Sequence, residues 1–142
     1  MTYPAVIHSD LELYLTGWFR TTLAARAEPV CAGVTVDRVE PPTDSLPEKL
    51  LVIRDDGATD TSFLTAEASV GFTVLAGSRE NPQAAKDLAR IVHALLSQIP
   101  SPDPNNPFAA LLTATTPVLV PESQPRARAY IPATFAIAGR AL

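Results

Sequence analysis

A single cysteine, Cys31, among 142 residues rules out an intramolecular disulfide and a cysteine-based zinc site. The two histidines, His8 and His93, are too few to build a metal centre on their own. No window approaches the roughly 18 apolar residues that a membrane span needs. The start, Met1-Thr2-Tyr3-Pro4, lacks the basic opening and apolar core of a signal peptide. These absences predict a chain made and folded in a reducing cytoplasm, with no membrane contact. A basic surplus is missing too: 11 Lys and Arg stand against 15 Asp and Glu, a formal charge of −4. That balance argues against a dedicated nucleic-acid binder, which needs cations to neutralise phosphates.

Motif signatures of catalysis are also lacking. There is no His-Glu-x-x-His, no Gly-x-Gly-x-x-Gly, no Gly-x-Ser-x-Gly and no phosphate-binding loop. A Ser/His/Asp triad assembled in space leaves no local signature, but no strained nucleophile turn is recognisable. Cys31 sits between Val30 and Ala32, the setting of a buried structural thiol rather than an activated one. The chain therefore reads as a protein without enzymatic activity, metal or cofactor.

What is abundant is apolar residues and proline. The hydrophobic content of 46% supports one modest core, so residues 1–142 are read as a single domain. The 14 prolines cluster between elements and predict rigid loops.

Ser9-Asp10-Leu11-Glu12 fits a capping box. Leu11, Tyr14, Leu15, Trp18, Phe19 and Leu23 follow at helical spacing, predicting a helix to about Ala27, with Glu12, Thr16, Arg20 and Thr21 outward. Gly33 to Val39 alternates as a half-buried strand, and Leu50 to Ile53 suits an inner strand. Asp55-Asp56-Gly57 opens a polar hairpin loop to about Thr61. Thr65 to Ala76 alternates over the longest stretch, with Ala66, Ala68, Val70, Phe72 and Val74 on one face.

Asn81-Pro82 supplies a helix start with proline at the first position. Leu88, Ile91, Val92, Leu95 and Ile99 form the buried stripe up to Pro100, and Ala84 and Ala85 permit close packing of the first turn. Phe108 to Ala114 reads as a short helical turn, and Val118 to Val120, bracketed by Pro117 and Pro121, as an edge strand. Arg126 to Leu142 alternates again, and Pro132 within it predicts an edge or bulged strand. The fold class is α+β: a small, mostly antiparallel or mixed sheet of about five strands with two helices on one face.

Two charged groups are candidates for contact with other chains. Asp55, Asp56 and Asp60 form an acidic cluster that lacks the late bidentate Glu of a calcium loop; it reads as a solvated turn or as an element of a subunit boundary. Arg126 and Arg128 fall on the polar side of the closing strand, with Arg140 further along. They solvate an edge or face a neighbour's carboxylates, for which arginine's fork is suited. An acidic loop and a basic strand on one chain fit a head-to-tail contact between copies.

In their order, these segments resemble the tail terminators of long-tailed, non-contractile phages, particularly those infecting actinobacteria. The carriers are the helix Leu11–Ala27, the stretch Ala66–Ala76 leading through Gly77-Ser78-Arg79-Glu80 into the helix Ala84–Leu96, and Pro117-Val118-Leu119-Val120-Pro121 with Arg128-Ala129-Tyr130 and Phe135-Ala136-Ile137-Ala138-Gly139. The resemblance implies a structural virion protein that forms a hexameric ring, caps the tail tube and ends its polymerisation. Its implied partners are further copies of itself, the major tail tube protein and the head-completion or connector proteins. DNA would only pass through the lumen, and no cofactor or catalysis is implied. The candidate interface is Asp55, Asp56, Asp60, Arg79, Arg126, Arg128 and Arg140. The competing expectations are a neighbouring head–tail connector or tail-completion subunit and a small cytoplasmic ligand-binding α+β domain.

Overall fold

The computed structural model describes residues 2–142. In chain order the elements are β1 (Val6–Ile7), α1 (Leu11–Ala24), β2 (Thr35–Asp37), β3 (Lys49–Asp60), β4 (Thr65–Ala76), α2 (Gln83–Leu95), β5 (Phe108–Ala114), β6 (Val118–Val120), β7 (Ala127–Ala138) and β8 (Arg140–Ala141). The main sheet runs β2-β3-β4-β7-β5, with β6 also paired to β7. Among the described residues only β2 and β3 are parallel; every other pairing is antiparallel. Short strands β1 and β8 pair separately and clasp the two ends of the chain. The class is therefore α+β, two helices packed on a mixed, mostly antiparallel sheet.

The core follows from alternation matched across strands. On β4 the predicted inward face is buried throughout, and on β7 so are Ala127, Ala129, Ile131, Ala133, Phe135 and Ile137. Register sets large against small: Ala66 opposes Ile137, Ala68 opposes Phe135, and Val70 opposes Ala133. The helices close over this face. Leu11, Leu15, Phe19 and Leu23 of α1 and Leu88, Ala89, Val92 and Leu95 of α2 join one cluster with it. Phe19 meets Phe72 at 5.6 Å and Phe108 meets Phe135 at 4.9 Å, both edge-on, a favoured aromatic geometry. Ala84, Ala85, Ala76 and Ala127 form a small-residue seam that brings the first turn of α2 onto the strand ends, as their sizes predicted.

Several local expectations are corrected. The cap of α1 is Asp10, whose Oδ1 accepts from Leu13 N at 3.1 Å. Glu12 does not reciprocate as in a capping box; its Oε2 accepts from Asp55 N at 2.8 Å and ties the helix start to β3. The helix stops at Ala24 rather than near Ala27, ahead of a single 3-10 turn at Pro29–Cys31. Thr16, expected outward, is buried, and its hydroxyl donates to Leu13 O. Pro82 is the cap of α2 rather than its first residue, and the helix passes into a 3-10 turn at Leu96–Gln98 before Pro100.

Two corrections change the sheet. Phe108–Ala114 is a strand, not a helical turn, because β7 offers it a free partner edge. In turn β7 is central, paired to β4 over its whole length and to β5 and β6 on its other side. Pro132 is tolerated there because its missing N–H faces the break between β5 and β6. Its carbonyl on that side accepts from Thr115 N at 3.1 Å, and a residue's two backbone groups point the same way in a strand.

Candidate functional site

The acidic residues lie on a strand rather than in a loop. β3 runs on to Asp60, and the turn is confined to residues 61–64. The reason is a bulge between Asp55 and Ala58, where Gly57 takes φ +100°. That left-handed geometry suits glycine, and Gly57 N donates to Asp55 Oδ1 at 2.8 Å. β2 covers β3 only from Leu50 to Val52, so beyond Ile53 no strand among the described residues pairs with the outer side of β3, where Asp55 N donates to Glu12 Oε2. Bulge and carboxylates together discourage indiscriminate pairing along it.

The three carboxylates go separate ways. Asp56 pairs with Arg54, which in turn lies 6.0 Å from the Tyr130 ring. Asp60 meets His8 Nε2 at 3.2 Å. Asp55 makes no ion pair among the described residues. Nor do the described residues include a group of three or more His, Cys, Asp or Glu side chains arranged to hold a metal ion.

The arginines are likewise divided. Arg128 binds Glu40 through both fork tines, at 2.8 and 3.0 Å, and also pairs with Glu122. The hydrogen bonds that Arg128 donates to Glu40 and Glu122 hold its pKa above the ordinary arginine value against the opposing effect of burial. The Glu122 carboxyl is correspondingly held below its ordinary value, first by the Arg128 hydrogen bond. Arg126 Nε donates to Pro47 O at 3.3 Å, and Arg79 Nη1 to Glu122 O at 3.2 Å. Arg140 is not on the closing strand: Gly139 interrupts it, and Arg140 sits exposed on β8. The sequence-predicted basic strand is thus largely engaged within its own chain.

Two surfaces outside the sequence-predicted set are more open. Val118, Leu119 and Val120 of β6 are 55%, 42% and 38% exposed, and β6 is paired only on its β7 side. At the far end of the sheet the hairpin tip exposes Phe63 and Leu64, with Tyr3 stacked on Phe63 at 4.6 Å. The bracket Pro117/Pro121 marked the first surface in the sequence. The second had no signal beyond two apolar residues in a turn.

The remaining reactive groups are placed as follows. Cys31 is buried, and burial raises its thiol pKa, the opposite of activation. His93 is half-buried on α2. His8 Nδ1 is buried with no hydrogen-bond partner among the described residues, so no hydroxyl is poised against that imidazole. Three surface grooves mix apolar side chains with a few charged ones, and a fourth gathers Ser9, Ser101, Asp103, Asn105, Asn106 and Arg140. No protein-family model matches the chain, and no curated protein matches it.

Proposed function

We propose that this chain is a tail terminator, a structural subunit that forms a ring on the finished tail tube, ends its polymerisation and offers a surface to the head connector. The single observation that carries the reading is the open sheet. One edge ends in the exposed apolar strand β6, and the other is the bulged, acidic outer half of β3. Unlike edges on one subunit suit a heterologous, ring-closing contact. The element order described for the phage family adds to this. Under this reading the chain performs no catalysis, binds no cofactor, acts in the virion at the head–tail junction and meets DNA only in the lumen.

Electron microscopy of tails assembled with and without the gene tests it. The expected result is tubes of uniform length with the protein and of overlong, irregular length without it. Uniform tubes in both preparations would sink the terminator reading. If those uniform tubes also failed to join heads, the neighbouring connector role would replace it.

A further inference from the structure

We propose that the β3–β4 hairpin tip of one copy seats in the groove between α2 and β6 of a second copy. The inference deepens the ring reading above and rests on it for the expectation that copies associate.

The groove is apolar at its floor and basic at its rim. Two adjoining hollows of about 370 and 360 Å³ share Leu119, flanked by Val118 and Val120. Arg79, Lys86, Arg90 and Arg128 line them, with Glu122 beside Arg128. Arg128 is neutralised by Glu40 and Glu122. Arg79 and Lys86 form no ion pair among the described residues, and Arg90 has only a long 3.7 Å contact to Asp87.

The hairpin carries the opposite pattern. From Arg54 to Glu67 one arginine stands against Asp55, Asp56, Asp60 and Glu67, a net −3, and Phe63 and Leu64 project at the turn. An apolar tip flanked by acid thus matches an apolar groove flanked by base. Charge also decides against like-on-like pairing. Groove on groove would oppose two basic rims, and tip on tip would oppose two −3 hairpins. Nor can a copy fill its own groove. The tip adjoins Ala138 of β7 and β6 adjoins Tyr130, eight residues away, roughly 25 Å along an extended strand.

Sedimentation velocity on the purified chain tests the contact, using wild type, Leu119→Glu, Phe63→Glu and an equimolar mixture of the two variants. Both positions are exposed, and thermal unfolding by circular dichroism verifies that each variant folds. Wild type should form oligomers that grow with concentration and weaken with salt. Each variant alone should associate at least about tenfold more weakly, as expected for a central anchor. The mixture should form a dimer and nothing larger, because each variant keeps the surface its partner needs. Variants that associate like wild type, a mixture that stays monomeric, or a wild type that stays monomeric at about 1 mM would each overturn the proposal. Failure of tube-length control with association intact would reject the terminator reading and leave this contact standing.

Discussion

Arg128 and Glu40 lie 88 positions apart and meet in a two-pronged ion pair, with Nη1–Oε1 at 2.8 Å and Nη2–Oε2 at 3.0 Å. Glu122 completes the arrangement from the other side. One half-buried cation therefore holds the segment after β2 and the turn before β7 against the open face of the sheet.

Replacing Arg128 should consequently affect folding first. Arg128→Met leaves Glu40 and Glu122 without their partner and should cost about 1–3 kcal/mol. Arg128→Glu, which gathers three carboxylates, should cost more. Urea unfolding followed by circular dichroism checks both, and midpoints equal to wild type would show that the network contributes nothing to stability. An assembly defect after charge reversal at Arg126 and Arg128 is interpretable only once this loss of stability is measured.

Acid should weaken the fold in a defined window. Glu28 is held down to about 2 from an ordinary 4.5, chiefly by its hydrogen bond to Arg26, and Glu122 is lowered by Arg128. A carboxyl depressed in the folded state favours folding above its ordinary value, and that contribution is lost as pH falls towards the folded value. The thermal midpoint should therefore drop as pH falls from 4.5 towards 2. The double variant Glu28→Gln/Glu122→Gln should start lower at neutral pH, and its gap to wild type should close across that window. A gap that stays constant would remove these two groups from the acid response.

Gly71 makes room for an aromatic ring on the open face. A Cβ there would lie 2.7 Å from Tyr130 Oη, 3.0 Å from its Cε1 and 3.2 Å from Asp56 Oδ2. Gly71→Ala should cost about 1–3 kcal/mol through this overpacking. Adding Tyr130→Phe removes the nearest atom and should recover part of the loss. Denaturant midpoints for the single and double variants decide the matter, and no recovery would place the strain elsewhere.

Phe108 is fully buried against Phe135 and Tyr14. Truncation in Phe108→Ala should cost about 3–5 kcal/mol, a large share of the roughly 5–15 kcal/mol that holds a domain together. Calorimetry should show a sharply lowered midpoint; a loss under about 1 kcal/mol would mean that the site collapses around the gap.

Much of the sheet was legible because alternation is a local property. Thr65–Ala76 declared both its bounds and its buried face, since each side chain's direction follows from its neighbour's. The stripe Leu88, Val92, Leu95 declared α2 for the same reason at helical period. Phe108–Ala114 misled because Phe-Ala-Ala-Leu-Leu carries good helix formers, and only the vacant edge of β7 makes it a strand. Pro132 misled because proline removes a donor, while the gap between β5 and β6 that excuses the loss lies far away in sequence.

The candidate site was less legible than the fold. The sequence identified Asp55, Asp56, Asp60, Arg79, Arg126, Arg128 and Arg140 as charged groups near turns and strand ends. It could not show that Arg128 closes on Glu40 and Glu122 while Val118, Leu119 and Val120 stay exposed.

By itself, then, the sequence determined the α+β class, its two helices, the long strands β4 and β7 and which faces are apolar. Each of these follows from spacing within a few residues. Strand order, the central place of β7 and the partner of each charge were decided only by the tertiary structure. Those depend on contacts between segments far apart along the chain, whose geometry no local pattern encodes.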